Sequence, residues 1–151
     1  MVVEPKDFNK RGKVKNKREY FRLSERMRIE VRMIKELTDE ITGEKKFEKV
    51  GKAAEHITND ISAGGLQFFS RFHFRENMLV EITLNFRETD PHFDPITVTG
   101  KIIRAEAIEH SQSLNICIKY ENIDSKDRSH IERYIFVRQR EMIAEKRIGF
   151  L

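Results

Sequence analysis

The sequence has a single cysteine, Cys117, and no stretch approaching the roughly 18–20 apolar residues that a membrane helix requires. One thiol excludes an internal disulfide and fits a reducing compartment, so a cytoplasmic location is expected. The first residues, Met1-Val2-Val3-Glu4-Pro5-Lys6, lack the apolar core of a secretion signal. Internal repeats and low-complexity segments are absent. The histidines, His56, His73, His92, His110 and His130, are scattered without zinc-type spacing, and His92-Phe93-Asp94 is the nearest approach to it. No metal site is expected. Cys117 has no histidine and orienting group that the sequence points to, so no nucleophile–base pair argues for an enzyme.

The chain has 151 residues, the usual size of one domain, with 38% hydrophobic and 36% charged residues. The formal charge of +4 is unevenly placed. Residues 1–28 hold ten Lys/Arg against four Asp/Glu, and the remainder holds nineteen against twenty-one. A basic N-terminal end favours an anionic partner. Residues 1–16 are polar, basic and aperiodic, and are read as a mobile arm preceding a domain over 17–147.

From Arg26 the pattern alternates. Met27, Ile29, Val31 and Met33 share one face, the period of a half-buried strand. A hairpin loop is expected over 38–46, followed by a second strand from Phe47 to Thr58 with a bulge or bend at Gly51. Leu66 to Phe69 open a third strand, Met78 to Phe86 a fourth, Ile96 to Ile103 a fifth and Leu114 to Tyr120 a sixth. Cys117 is expected opposite the apolar face of the sixth, and the phenylalanines are expected in the core. The period then becomes helical. Asp124 is a good N-cap, and Ile131, Tyr134, Ile135 and Met142 recur at helical spacing, predicting a helix over 125–146. Its basic residues, Arg138 among them, read as a solvated face. Six antiparallel strands are few for a two-sheet sandwich, and closing them removes exposed edges. The expected fold is all-β dominated: a six-stranded antiparallel β-barrel with one C-terminal helix.

Two stretches carry chemistry. Arg18 and Arg22 are four apart, so their side chains converge in an extended chain and in a helical turn alike. Guanidinium forks bind phosphate and the O6/N7 edge of guanine. The alternative is two solvated charges, or partners for Glu19 and Glu25. The second stretch, Asn59-Asp60-Ile61-Ser62-Ala63-Gly64-Gly65-Leu66, reads as a tight turn between strands. Its two glycines are expected to supply the dihedrals of a sharp reversal and to let a ligand approach bare backbone N–H groups. Asp60 can accept from the N1–H and N2–H₂ edge of guanine or orient an arginine, and Ser62 can donate to a phosphate. Ordinary turn chemistry would also explain these residues.

Together, Arg18-x-x-x-Arg22 and Asp60-x-Ser62-x-x-Gly65 resemble the PilZ domain family of cyclic di-GMP (c-di-GMP) receptors, over roughly residues 16–140. The resemblance implies the barrel-plus-helix fold and a bacterial, non-enzymatic receptor. It implies that Arg18 and Arg22 bind phosphates and guanine edges, that Asp60 and Ser62 bind a guanine and its neighbouring phosphate, and that Gly65 keeps the turn open. Lys17 and Gly64 are weaker candidates at the same site. Where the family often has a glycine before the fourth strand, this chain has Arg75-Glu76-Asn77-Met78, and Asn tolerates positive φ. No cofactor is implied beyond the ligand, which would clamp the arginine arm against the turn and change the surface offered to a downstream protein. The alternatives are a small barrel that binds single-stranded RNA or another polyanion, and a PilZ-like adaptor that no longer binds nucleotide.

Overall fold

The computed structural model describes residues 20–149, with side chains to residue 146. The expected arm over 1–16, together with Lys17 and Arg18, lies outside them. Six antiparallel strands form: β1 (Arg28–Thr38), β2 (Lys45–Ile61), β3 (Gly65–Ser70), β4 (Leu79–Leu84), β5 (Ile96–Ala107) and β6 (Leu114–Tyr120). They close into a ring in the order β1-β2-β3-β6-β5-β4. One helix, α1 (Ser125–Gly149), follows. The expected class, strand number and C-terminal helix are therefore the observed ones.

Alternation explains the ring. Ile29 and Val31 of β1, Val80, Ile82 and Leu84 of β4, and Leu66 and Phe68 of β3 are buried at every second position. They join one cluster that also takes in Leu23 and Met27 ahead of β1. Helix α1 begins where Asp124 Oδ1 accepts from Asp127 N at 2.7 Å. Its buried residues, Ile131, Tyr134 and Ile135, complete the cluster. The Tyr134 ring lies 4.5 Å from that of Phe86 and 5.3 Å from that of Phe93.

Several details differ from the sequence reading, each for a tertiary reason. The β1–β2 hairpin is longer than expected, leaving a loop over 39–44 held by Asp39 Oδ1, which accepts from Ile41 N at 2.8 Å. Cys117 is buried, as are both its neighbours, Ile116 and Ile118, so burial does not alternate along this part of β6. The phenylalanines divide: Phe68, Phe74, Phe86 and Phe93 are buried, whereas Phe21, Phe47, Phe69, Phe72 and Phe136 are exposed. Arg138 is not on a solvated face. Its Nε donates to Glu25 Oε1 at 2.6 Å, and Tyr134 Oη donates to Glu25 Oε2 at 2.6 Å. This buried carboxylate ties the segment ahead of β1 to α1. Asn77 does adopt positive φ, at 72°, in the place where the family often has glycine.

The glycines of the turn act by size rather than by dihedral. The positive-φ glycines are Gly43 and Gly51, and Gly51 falls at the β1–β2 bulge. Gly65 instead lies against β6, where an added Cβ would stand 1.9 Å from the Ile118 carbonyl oxygen. Backbone cannot yield as a side-chain tip can. Gly65→Ala is therefore expected to lower unfolding free energy by about 3 kcal/mol, the upper end of overpacking costs. Urea denaturation checks this, and an unchanged midpoint would show that β3 and β6 separate freely.

His56 gives a second test. It is buried, its Nε2 lies 3.0 Å from Ser70 Oγ, and its ring packs 4.7 Å from that of Phe68. Burial lowers its pKa below the usual 6.5, with the Ala54 carbonyl opposing in part. The folded protein then binds fewer protons here than the unfolded chain. Stability associated with His56 is present above about pH 6.5 and declines as pH falls through its folded value. Between pH 7 and pH 5 the loss of unfolding free energy should be smaller in His56→Gln than in wild type, read by urea titration at each pH.

Candidate functional site

The site is assembled on the outer wall by two strand irregularities. Thr58 and Ile61 of β2 are both fully buried, although an odd spacing separates them. A bulge between Thr58 and Asp60 changes the parity. Asp60 is thereby turned out beside its cross-strand partner Gln67, where regular alternation would have put it on the Thr58 side. In β5 a second irregularity between Ile102 and Arg104 does the same for Arg104. Register then runs continuously across four strands: Asp60 with Gln67, Gln67 with Cys117, Cys117 with Arg104. This cross-strand row faces an open cleft of about 220 Å³.

Above the row stands the turn. Ser62 is buried, and its Oγ accepts from Gly64 N at 3.1 Å and Gly65 N at 3.2 Å. It also donates to Gly65 O at 3.2 Å, and Ser62 N donates to the same carbonyl at 2.8 Å. The N–H groups of Gly64 and Gly65 are thus not bare, contrary to the sequence expectation. The serine hydroxyl already holds them, which makes the turn rigid. Gly64 O accepts from Tyr120 N at 3.0 Å, fastening the turn to β6.

The segment ahead of β1 meets the turn from the other side. Leu23 forms an isolated bridge with Ile61: Leu23 N donates to Ile61 O at 2.8 Å, and Ile61 N donates to Leu23 O at 2.9 Å. Arg22, next in the chain, is thereby held at the cleft, half-buried. Tyr20 packs on the turn itself, and a Cβ on Gly64 would fall 2.8 Å from its Cδ2. The Arg128 guanidinium of α1 lies 5.2 Å from the Tyr20 ring centroid on the same assembly. Tyr20 thus braces the turn.

Of the residues singled out from sequence, Arg22, Asp60, Ser62, Gly64 and Gly65 line this one cleft. Arg18 and Lys17 lie outside the described residues. Sequence reasoning missed Gln67, Arg104, Cys117 and Lys119, which line it too. Period-two alternation would have put Gln67 on the outer face of β3. No signal in the sequence marks the bulge that turns Arg104. Arg104 stands beside Cys117 in register, and that side chain raises its already high pKa. Asp60 in turn adds its negative charge to burial in raising the pKa of the Tyr120 phenol. The cleft thus presents two guanidiniums and one ammonium beside one carboxylate and a polar turn, a surface suited to an anion carrying hydrogen-bonding edges.

Comparison with known proteins bears on this arrangement. No curated protein matches the chain. Among solved structures, the inhibitor of motility MotI/DgrA of Bacillus subtilis is similar at 16% identity and a TM-score of 0.62, over 83% of this chain and 52% of that one. The PilZ domain of YcgR from Escherichia coli, solved with c-di-GMP, is similar at 15% identity and a TM-score of 0.57, over 87% of this chain and 98% of that domain. YcgR in complex with c-di-GMP gives 15% identity and a TM-score of 0.62, over 87% and 50%. The chain spans about half the length of MotI and of YcgR. At such identity these likenesses show the fold. The family model of the PilZ domain matches residues 16–137, and the chain belongs to the PilZ domain family.

Proposed function

We propose that this protein is a c-di-GMP receptor whose ligand lies in the cleft between Arg22 and the Asp60–Gly65 turn, and that binding changes the surface offered to a protein partner. The observation that carries the reading is the convergence itself. Arg22 and the Asp60-x-Ser62-x-x-Gly65 turn are distant in sequence, yet they line one cleft, joined by the Leu23–Ile61 bridge. Membership of a family of c-di-GMP receptors supports it, as does the likeness to YcgR solved with that nucleotide.

In this reading Arg22 forks onto a phosphate or a guanine O6/N7 edge, and Arg18 supplies a second guanidinium from the preceding chain. Lys17 adds a cation beside it. Asp60 accepts from the guanine N1–H and N2–H₂ edge. Ser62 contributes by holding the turn, and it donates to a phosphate oxygen when its hydroxyl rotates away from Gly65 O. Gly64 and Gly65 let the turn close on Tyr20 and β6, so the ligand meets a turn of fixed shape. Arg104, at the far end of the row, faces the second half of the dinucleotide. The step is binding alone, with no bond made or broken. The family's regulatory role and the absence of a nucleophile–base pair in the sequence both favour this over catalysis.

Titration calorimetry with c-di-GMP tests the reading. Wild type should bind with a defined stoichiometry and ignore GMP. Arg22→Ala, which removes a charge-assisted contact of about 1.5–3 kcal/mol, should weaken binding by roughly ten- to a hundredfold. Undiminished binding by Arg22→Ala would remove the clamp. Equal binding of random RNA with steep salt dependence would instead assign the cleft to polyanions.

A further inference from the structure

The ring is closed by only part of β2. This strand has 17 residues, but its register with β3 includes only Thr58, Asp60 and Ile61. Upstream of Thr58, β2 pairs with β1 back to Lys45, and among the described residues no strand lies along its other edge. Thr58 N donates to Met27 O, which fixes the residues of β2 whose amides face β1. By alternation, Glu55 turns its N–H and C=O groups to the open side, as far as the bulge over residues 51–53. An unpaired edge of this length is a template for another strand.

A groove runs beside this edge. Its volume is about 350 Å³, and it lies between Val50, Gly51 and Ala54 of β2 and the Phe72–Phe74 segment beyond β3. Its apolar lining is partly open to solvent: Phe72 is 58% exposed, Val50 41% and Met33 37%. It is separate from the cleft of Arg22 and Asp60, with which it shares no lining residue.

Charge selects the occupant. Residues 45–57 and 71–75 together carry six Lys/Arg against two Glu. Glu55 is occupied by Arg28, Lys45 pairs with Glu36, and Lys49 pairs with Glu81. Among the described residues, Lys46, Lys52, Arg71 and Arg75 form no ion pair. A second copy pairing edge to edge would set lysine against lysine, which is unfavourable between facing strands. An acidic strand meets no such opposition.

We propose that the open edge of β2 over residues 46–56 is a docking site for an extended, acidic segment of a partner protein. The segment adds to the ring as a strand whose groove-side positions carry both apolar side chains, beside Val50 and Phe72, and carboxylates, toward Lys46 and Lys52, which lie on the Val50 side of β2. Backbone bonds supply affinity, and the lysines set the sign of the partner.

The probe is a synthetic peptide about ten residues long, the length of a strand, with Val and Glu taking turns at every second position and Thr between them. It is compared with the same peptide carrying Lys in place of Glu, and with the acidic peptide N-methylated at alternate residues. On the wild-type chain at about 0.15 M salt, fluorescence anisotropy should show the acidic peptide binding at least about tenfold tighter than the basic one. N-methylation should abolish binding, and hydrogen exchange at Glu55 should slow in the complex. Lys46→Glu combined with Lys52→Glu should reverse the charge preference. Equal binding of both peptides, or full binding of the N-methylated one, overturns the proposal. So does a concentration-dependent dimer that protects the same amide without peptide, since the occupant is then a second copy.

Discussion

The approach of Gly65 to Ile118 is the constraint on which the ring and its cleft both depend. At that point the backbones of β3 and β6 come so close that a methyl group would overlap the Ile118 carbonyl. The contact falls where the chain leaves the turn, so it fixes the turn against β6 as well as closing the sheet. Ser62 then needs only one hydroxyl to tie Gly64 and Gly65 into a fixed shape. The Leu23–Ile61 bridge brings in the third piece and sets Arg22 at the rim. A turn built this way has its shape fixed by its own hydroxyl and backbone bonds and by its bond to β6.

The contact between the segment ahead of β1 and α1 supports this placement. Glu25 is buried with Tyr134 and Arg138 on its two oxygens. Removing either partner of a buried ion pair costs more than the pair gains, so such a group works as a specific fastener. Here it fastens the residues just after Arg22 to α1. Arg128 over the Tyr20 ring repeats the connection one step nearer the turn. Helix and cleft are therefore linked through a few residues, and a change at Arg22 has a short physical route to the helix surface, where Phe136 and Ile143 are exposed.

Much of this was legible in the chain. Period-two alternation located six strands within a few residues, and the change to helical spacing after Asp124 located α1, because both patterns come from burying one face of a regular element. Asn77 could be recognised as a residue able to replace glycine at positive φ, because that tolerance is local. The paired motifs named the cleft's residues from Arg22 to Gly65 because each carries its chemistry in its own side chain or its lack of one.

What the sequence did not determine depends on neighbours brought from far away. The bulges that turn Asp60 and Arg104 outward arise from a mismatch between strands, and neither strand alone encodes the slip. Gly65 is small because of Ile118, not because of its own dihedrals, which is why a reading of turn residues gave the right glycine for the wrong reason. Arg138 looked solvated until the fold set Glu25 beside it. The sequence by itself determined which faces are apolar and which side chains could bind an anion, since these are properties of each residue and its period. Only the tertiary structure decided which of them share a wall, and which strand edge stays open, since contact between strands is a property of pairs.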